Sequence, residues 1–222
     1  NGEVTFPSTI RNQSTCAFGT IHAAYDMREK LNEYMHRFAV ERMNEAKKLP
    51  LKGWVFDGNG SEAVSFHFIE MLRSHNLDVH KLAKTITQNG HTYDAKNSYF
   101  VPAEQRHSIL LRSLFDTNTE FKDSLFYDLS VWNMPEAYGL NYAELKNVAG
   151  LSGEKIEKPV FPEGQVLNGK SNYAYLFDNK EFYAPLMVNQ LLEGNIRVMV
   201  SGEGGKSAAG YGYGPGMLIV PV

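Results

Sequence analysis

The sequence has one cysteine, Cys16, so no disulfide can close within the chain and its redox compartment is left open. It has no apolar run near the roughly 20 residues a membrane-crossing helix needs, and no membrane span is expected. Net charge is also scarce, at −3 over 222 residues. A nucleic acid or an anionic membrane is therefore not expected as the main partner. No methionine opens the chain and no signal-peptide pattern follows; its first residues read NGEVTFPSTIRNQ. A fragment or a processed piece is the expectation.

What is present describes a folded protein. Hydrophobic residues make up 43% and charged residues 21%, the balance of a globular chain with one large domain or two small ones. The alternation in GEVTFPSTI predicts a short strand or extended entry segment. From about Ser14 to Leu49, Ile21, Ala24, Leu31, Tyr34 and Phe38 recur at helical spacing with charges between them. That predicts a long helix, capped by Ser14 or Thr15 and ended before Pro50, whose apolar stripe needs a partner. Cys16 is expected to be a buried, inert thiol.

After Pro50 the rhythm changes. KGWVFD reads as a buried strand, SEAVSFHFIEMLRSHN as a helix with Ser61 at its N-cap, and LDVHKL as a second strand. TITQNGHTYDAKNSYFVP reads as a hairpin turning at Asn-Gly and a strand closed by Pro102, followed by a helix in AEQRHSILLRSLFD. The strand–helix–strand order predicts βαβ units in a parallel sheet. Residues 141–171, rich in Gly, Pro and Glu, read as a linker. The rhythm then returns. Trp54–Asp57 matches Tyr175–Asp178, Leu77–His80 matches Ile196–Met199, and Tyr99–Pro102 matches Leu218–Pro221. The offset of roughly 120 residues suggests a duplicated half-domain. The expected architecture is thus α/β, with two similar parallel-sheet units, the second truncated, behind a long N-terminal helix. The native chain is expected to continue beyond Val222.

Several motifs invite chemistry. His67 and Glu70, spaced His-x-x-Glu, stand one helical turn apart. A zinc site needs a third ligand, and a hydrolytic one needs an open position and a base besides. All seven histidines lie between His22 and His107, with no spacing that supplies the third ligand, so no metal is expected. Gly205-Lys206-Ser207 lacks the first glycine of a phosphate loop and precedes no helix-forming stretch. Asp116, Asp123, Asp128 and Glu136 form the densest acidic group and read as caps and surface charges. Phe126, Leu129, Val131 and Trp132 read as core or interface packing. No catalytic residue is assigned. In an open α/β sheet, ligands bind beyond the carboxyl ends of the strands. That makes Asp57, Asn59, Asp178 and Asn179 the candidate binding residues for a small molecule.

FPSTIRNQ, FVPAEQ and FDTNTEFKDSLFYDLSVWNMPEAYGL together resemble large bacterial members of the zinc carboxypeptidase family (carboxypeptidase A-like metallopeptidases) that carry a C-terminal extension. The likeness covers most of the chain and is strongest from Phe115 to Leu140. It implies that 1–50 closes a peptidase domain, that 51–140 is an α/β unit, and that 172–222 begins a class I glutamine amidotransferase-like unit. It also implies a non-catalytic, structural or substrate-recruiting segment in a protein that removes C-terminal residues from peptides. The implied partners are the upstream peptidase domain and a peptide substrate. No cofactor is expected in this segment, with zinc in the parent's peptidase domain. A periplasmic or secreted location is implied. The family's zinc ligands and catalytic glutamate have no counterpart here, and the second unit has no cysteine to serve as an amidotransferase nucleophile.

Overall fold

A computed structural model describes residues 4–117, 133–207 and 210–222. The chain is helical almost from its start. Thr5 stands at extended angles as N-cap, its Oγ1 accepting from the Ser8 amide, and a proline occupies the first turn, where a missing amide costs nothing. Helix α1 therefore runs Phe6–Asp26, and the strand expected in GEVTFPSTI is replaced by a cap and a helical turn. Helix α2 follows at Arg28–Lys48. Between them the Met27 amide still bonds Ala23 O, and the Leu31 amide bonds Met27 O. Hydrogen bonds thus reach Met27 from both sides, although Met27 itself leaves helical angles and separates the two helices. In place of one helix there are two, joined end to end. No residue of α1 is buried and only Ala46 of α2 is. Cys16 is consequently exposed, not buried as expected.

The first α/β unit contains strand β1 at Gly53–Asp57, helix α3 at Glu62–Ser74 and strand β2 at His80–Leu82. The hairpin β3 (Ile86–Gln88) and β4 (His91–Tyr93) follows, then β5 at Ser98–Pro102, α4 at Ser108–Phe115, α5 at Met134–Ala137, β6 at Asn141–Leu145 and β7 at Ser152–Lys155. Asn89 and Gly90 both take positive φ, as a two-residue Asn-Gly turn requires. The main sheet has the order β6-β1-β5-β2-β7 and every neighbouring pair is antiparallel. This overturns the expected parallel sheet. β1 and β2 do point the same way, since both oppose β5, but β5 lies between them. The reason is burial. β1 is buried at all five positions and β5 at three of five, whereas β2 is short and begins His-Lys. The two most apolar strands take the centre, and the polar one moves outward.

Two cores flank that centre. Trp54 and Phe56 of β1 pack with Phe68 and Leu72 of α3, Leu111 and Phe115 of α4, and Val101 of β5. On the opposite face Val55 meets Phe100, Ala143 and Tyr93, the last brought by the β3–β4 hairpin. Residues 141–155, expected to begin a linker, instead supply β6 and β7 to the sheet.

The second unit comprises β8 at Ala174–Phe177, α6 at Ala184–Glu193, β9 at Met199–Val200, a hairpin of β10 (Gly205–Lys206) and β11 (Gly212–Tyr213), and β12 at Leu218–Pro221. Its sheet order is β8-β12-β9, again antiparallel and again with the last strand between the first two. The registers coincide. Phe56 faces Tyr99 as Phe177 faces Leu218, and His80 faces Phe100 as Met199 faces Ile219. Both helices end alike, with Asn76 and Asn195 at positive φ and the next amide returning to Leu72 O and Leu191 O. The parallel sheet expected for an amidotransferase-like unit is therefore corrected here too.

Packing divides the molecule into a stabilised part and a bare one. Phe68→Ala, at a fully buried ring, should cost about 3–5 kcal/mol. Phe18→Ala on α1, 66% exposed, should change stability by less than about 0.5 kcal/mol. Urea unfolding of the two variants beside the parent chain checks both.

Candidate functional site

Strand β1 ends in Asp57-Gly58-Asn59-Gly60-Ser61, and the chain turns sharply there. Asn59 and Gly60 take positive φ. A Cβ on Gly58 would lie 2.0 Å from Ser61 O and 2.6 Å from Ser65 Oγ, so only glycine fits between the turn and α3. Asp57 is 8% exposed, and its carboxylate is fully engaged. Oδ1 accepts from the Asn59 amide at 2.8 Å and from Asn141 Nδ2 at 2.9 Å. Oδ2 lies 2.7 Å from His91 Nε2. Asn141 Nδ2 also reaches Asn59 Oδ1 at 3.3 Å.

The sheet explains this convergence. Ser98 and Asn141 are the cross-strand partners of Asp57 on either side, so the three side chains share one face. The hairpin covers that face, Tyr93 sinking into the core while His91 caps the carboxylate, their rings 4.6 Å apart edge to face. Burial, and after it the Asp57 charge, pushes the Tyr93 phenol up to about 12. Ser98 Oγ is buried and has no hydrogen-bond partner among the described residues. The arrangement is a saturated carboxylate that orients a half-exposed imidazole, with a buried hydroxyl beside it on the sheet.

Asp178 repeats the turn without the rest of the site. Its Oδ1 accepts from the Lys180 amide at 3.0 Å, as Asp57 accepts from the Asn59 amide. No side chain among the described residues bonds it. Asn179 borders a shallow apolar depression with Ala184, Pro185, Val188 and Leu218. The structure therefore gathers Asp57 and Asn59 into one cluster and leaves Asp178 and Asn179 in a simpler copy.

The other motifs resolve as follows. His67 and Glu70 lie on the outer face of α3, with Nδ1 to Oε2 at 3.6 Å, while His67 Nε2 lies 2.6 Å from Tyr183 Oη. Among the described residues no three His, Cys, Asp or Glu side chains are grouped to hold a metal ion. Asp116 ends α4 on the surface, and Glu136 accepts from Tyr142 Oη at 3.0 Å. Asp123, Asp128, Phe126, Leu129, Val131 and Trp132 lie outside the described residues. Gly205 and Lys206 pair within the β10–β11 hairpin and open no helix.

Sequence reasoning did not single out His91, Ser98 or Asn141. The Asn-Gly turn was a usable signal for His91, since it sets that residue at the start of the returning strand. Asn141 bonds Asp57 across 84 positions, and no local pattern carries such a pairing. No protein family, curated protein or solved structure matches the chain.

Two measurements probe the cluster. Asp57→Ala should cost about 2–3 kcal/mol, because it leaves amide donors and an imidazole without their acceptor. His91→Ala alone should cost no more than about 1 kcal/mol, and the double mutant should lose less than the sum. For Tyr93, the folded state raises the phenol above its ordinary value of 10. Stability is then fully present below pH 10 and falls as pH rises toward about 12. Unfolding followed across that window should show a shallower decline in Tyr93→Phe.

Proposed function

We propose that this chain is the non-catalytic C-terminal part of a zinc metallocarboxypeptidase-like protein, with a structural or substrate-recruiting role. The parent would remove C-terminal residues from peptides through a zinc-bound water, with its metal held by residues outside this chain. The sequence strings quoted above support the family reading. The likeness of 172–222 to an amidotransferase is carried by its sequence alone.

The observation that bears most on the role is the exposed apolar surface of α1 and α2. Phe6, Phe18, Ile21, Tyr25, Tyr34 and Met35 are all more than half exposed along it, beside a unit whose own core is closed. A helix cannot bury its own stripe, and an apolar surface of that extent marks a contact with another body. In this reading the body is the upstream peptidase domain.

The purified chain should release no C-terminal amino acid from peptides, with or without added zinc, and turnover by it would refute the reading. Paired Phe18→Asp and Ile21→Asp substitutions should weaken capture of a separately produced peptidase domain at least tenfold. They should leave the chain's own melting temperature unchanged. Undiminished capture would count against the α1–α2 pair as the contact.

A second reading, a small-molecule site at the end of β1, is favoured by the Asp57–His91–Asn141 cluster and the unpartnered Ser98 hydroxyl. Thermal shifts with sugars, amino acids and nucleotides test it, and a flat response throughout would dismiss it.

A further inference from the structure

The junction between the two α/β units holds a second, unlike site. The outer face of α3 presents His67, Glu70 and Met71 to a cleft of roughly 690 Å³. The far wall is Tyr138 after α5, with Phe182 and Tyr183 before α6. Phe161 joins from the irregular 156–173 stretch, its ring 5.1 Å from Phe66 and 5.7 Å from Tyr183. His67 sits among these rings, 5.1 Å from Phe182 and 6.2 Å from Phe161.

The segment that carries Phe182 and Tyr183 is tied to α3, yet its rings face solvent. Tyr183 is held by its hydroxyl at His67 Nε2, and the Phe182 amide donates to Ser61 Oγ at 3.3 Å, which ties the second unit to the start of α3. Even so, Phe161 is 48% exposed, Phe182 50% and Tyr183 37%. Exposed aromatics on a held backbone present binding surface at a reduced cost in lost freedom. Apart from the His67 imidazole, 3.6 Å from the Glu70 carboxylate, the charge in the cleft has one sign. Glu70 is open to solvent, and no lysine or arginine lines the cleft among the described residues. Aromatic faces attract cations, and a carboxylate at their edge selects a donor-rich one.

We propose that this junction cleft binds the guanidinium or ammonium group of a basic side chain, stacked against Phe182 and Tyr183 and paired with Glu70. That the group is carried by a peptide rests on the substrate-recruiting reading above. That the cleft takes the cation does not.

The test uses the whole chain and two probe sets, followed through the backbone amide resonances of Glu70, Phe182 and Tyr183. Arginine amide, Nα-acetylated so that the guanidinium is its only charge, should shift these signals, and its uncharged isostere Nα-acetylcitrulline amide should bind at least fivefold more weakly. Glu70→Gln should erase that difference, and Phe182→Ala should weaken arginine amide while the fold's remaining signals stay in place. Equal response to the two amides, or an unaltered preference in Glu70→Gln, overturns the proposal. In the second set, a short peptide with one internal arginine should bind at least as tightly as arginine amide. If the amide binds and the peptide does not, the cation site stands and the substrate-recruiting reading falls.

Discussion

Strand β1 is buried at every position, and a strand so placed must have its ladder satisfied on both edges and both faces covered. β5 and β6 supply the edges. Helices α3 and α4 cover one face with an aromatic core in which Phe56 meets the edge of Phe68 at 5.0 Å. The β3–β4 hairpin covers the other face. Asp57 stands where this strand leaves the core, so its carboxylate is the first polar group the burial meets. Its three partners keep that group from being left unpaired, at the point where the sheet gives way to solvent.

The two units show one plan at two degrees of completion. Both place a returning strand between a first and second strand that run the same way, with equal registers and equal helix ends. The first adds β6, β7, α4 and α5 and closes two cores. The second, among the described residues, has a three-stranded sheet under a single helix, and only Ala184 and Leu218 of its hydrophobic residues are buried. The polar clusters follow the same division. Asp57 acquires His91 from a covering hairpin and Asn141 from β6, while Asp178 has no such neighbours among the described residues and keeps only its turn.

Much of the local structure could be read directly. Asn89-Gly90 announced the hairpin, Ser61 marked the start of α3, and Pro102 closed β5. The start of α1 was misread because Val4 and Phe6 mimic strand alternation, whereas Thr5 capping Ser8 beside Pro7 outweighs it. Placing Asp57 and Asn59 at a strand end was within reach of pattern, because a buried strand followed by Gly-Asn-Gly must turn there. His91 and Asn141 were not, since their approach depends on which strands pair.

The sequence by itself determined where β1, α3, the β3–β4 hairpin and β5 form and stop, and that a second segment repeats the rhythm of the first. These follow from short-range sterics, capping and periodicity. Only the tertiary structure decided that β5 slips between β1 and β2, that residues 141–155 join the sheet, and that α1 and most of α2 stay exposed. Strand order is a competition for burial among segments distant in the chain. No window of residues records which partner each strand will win.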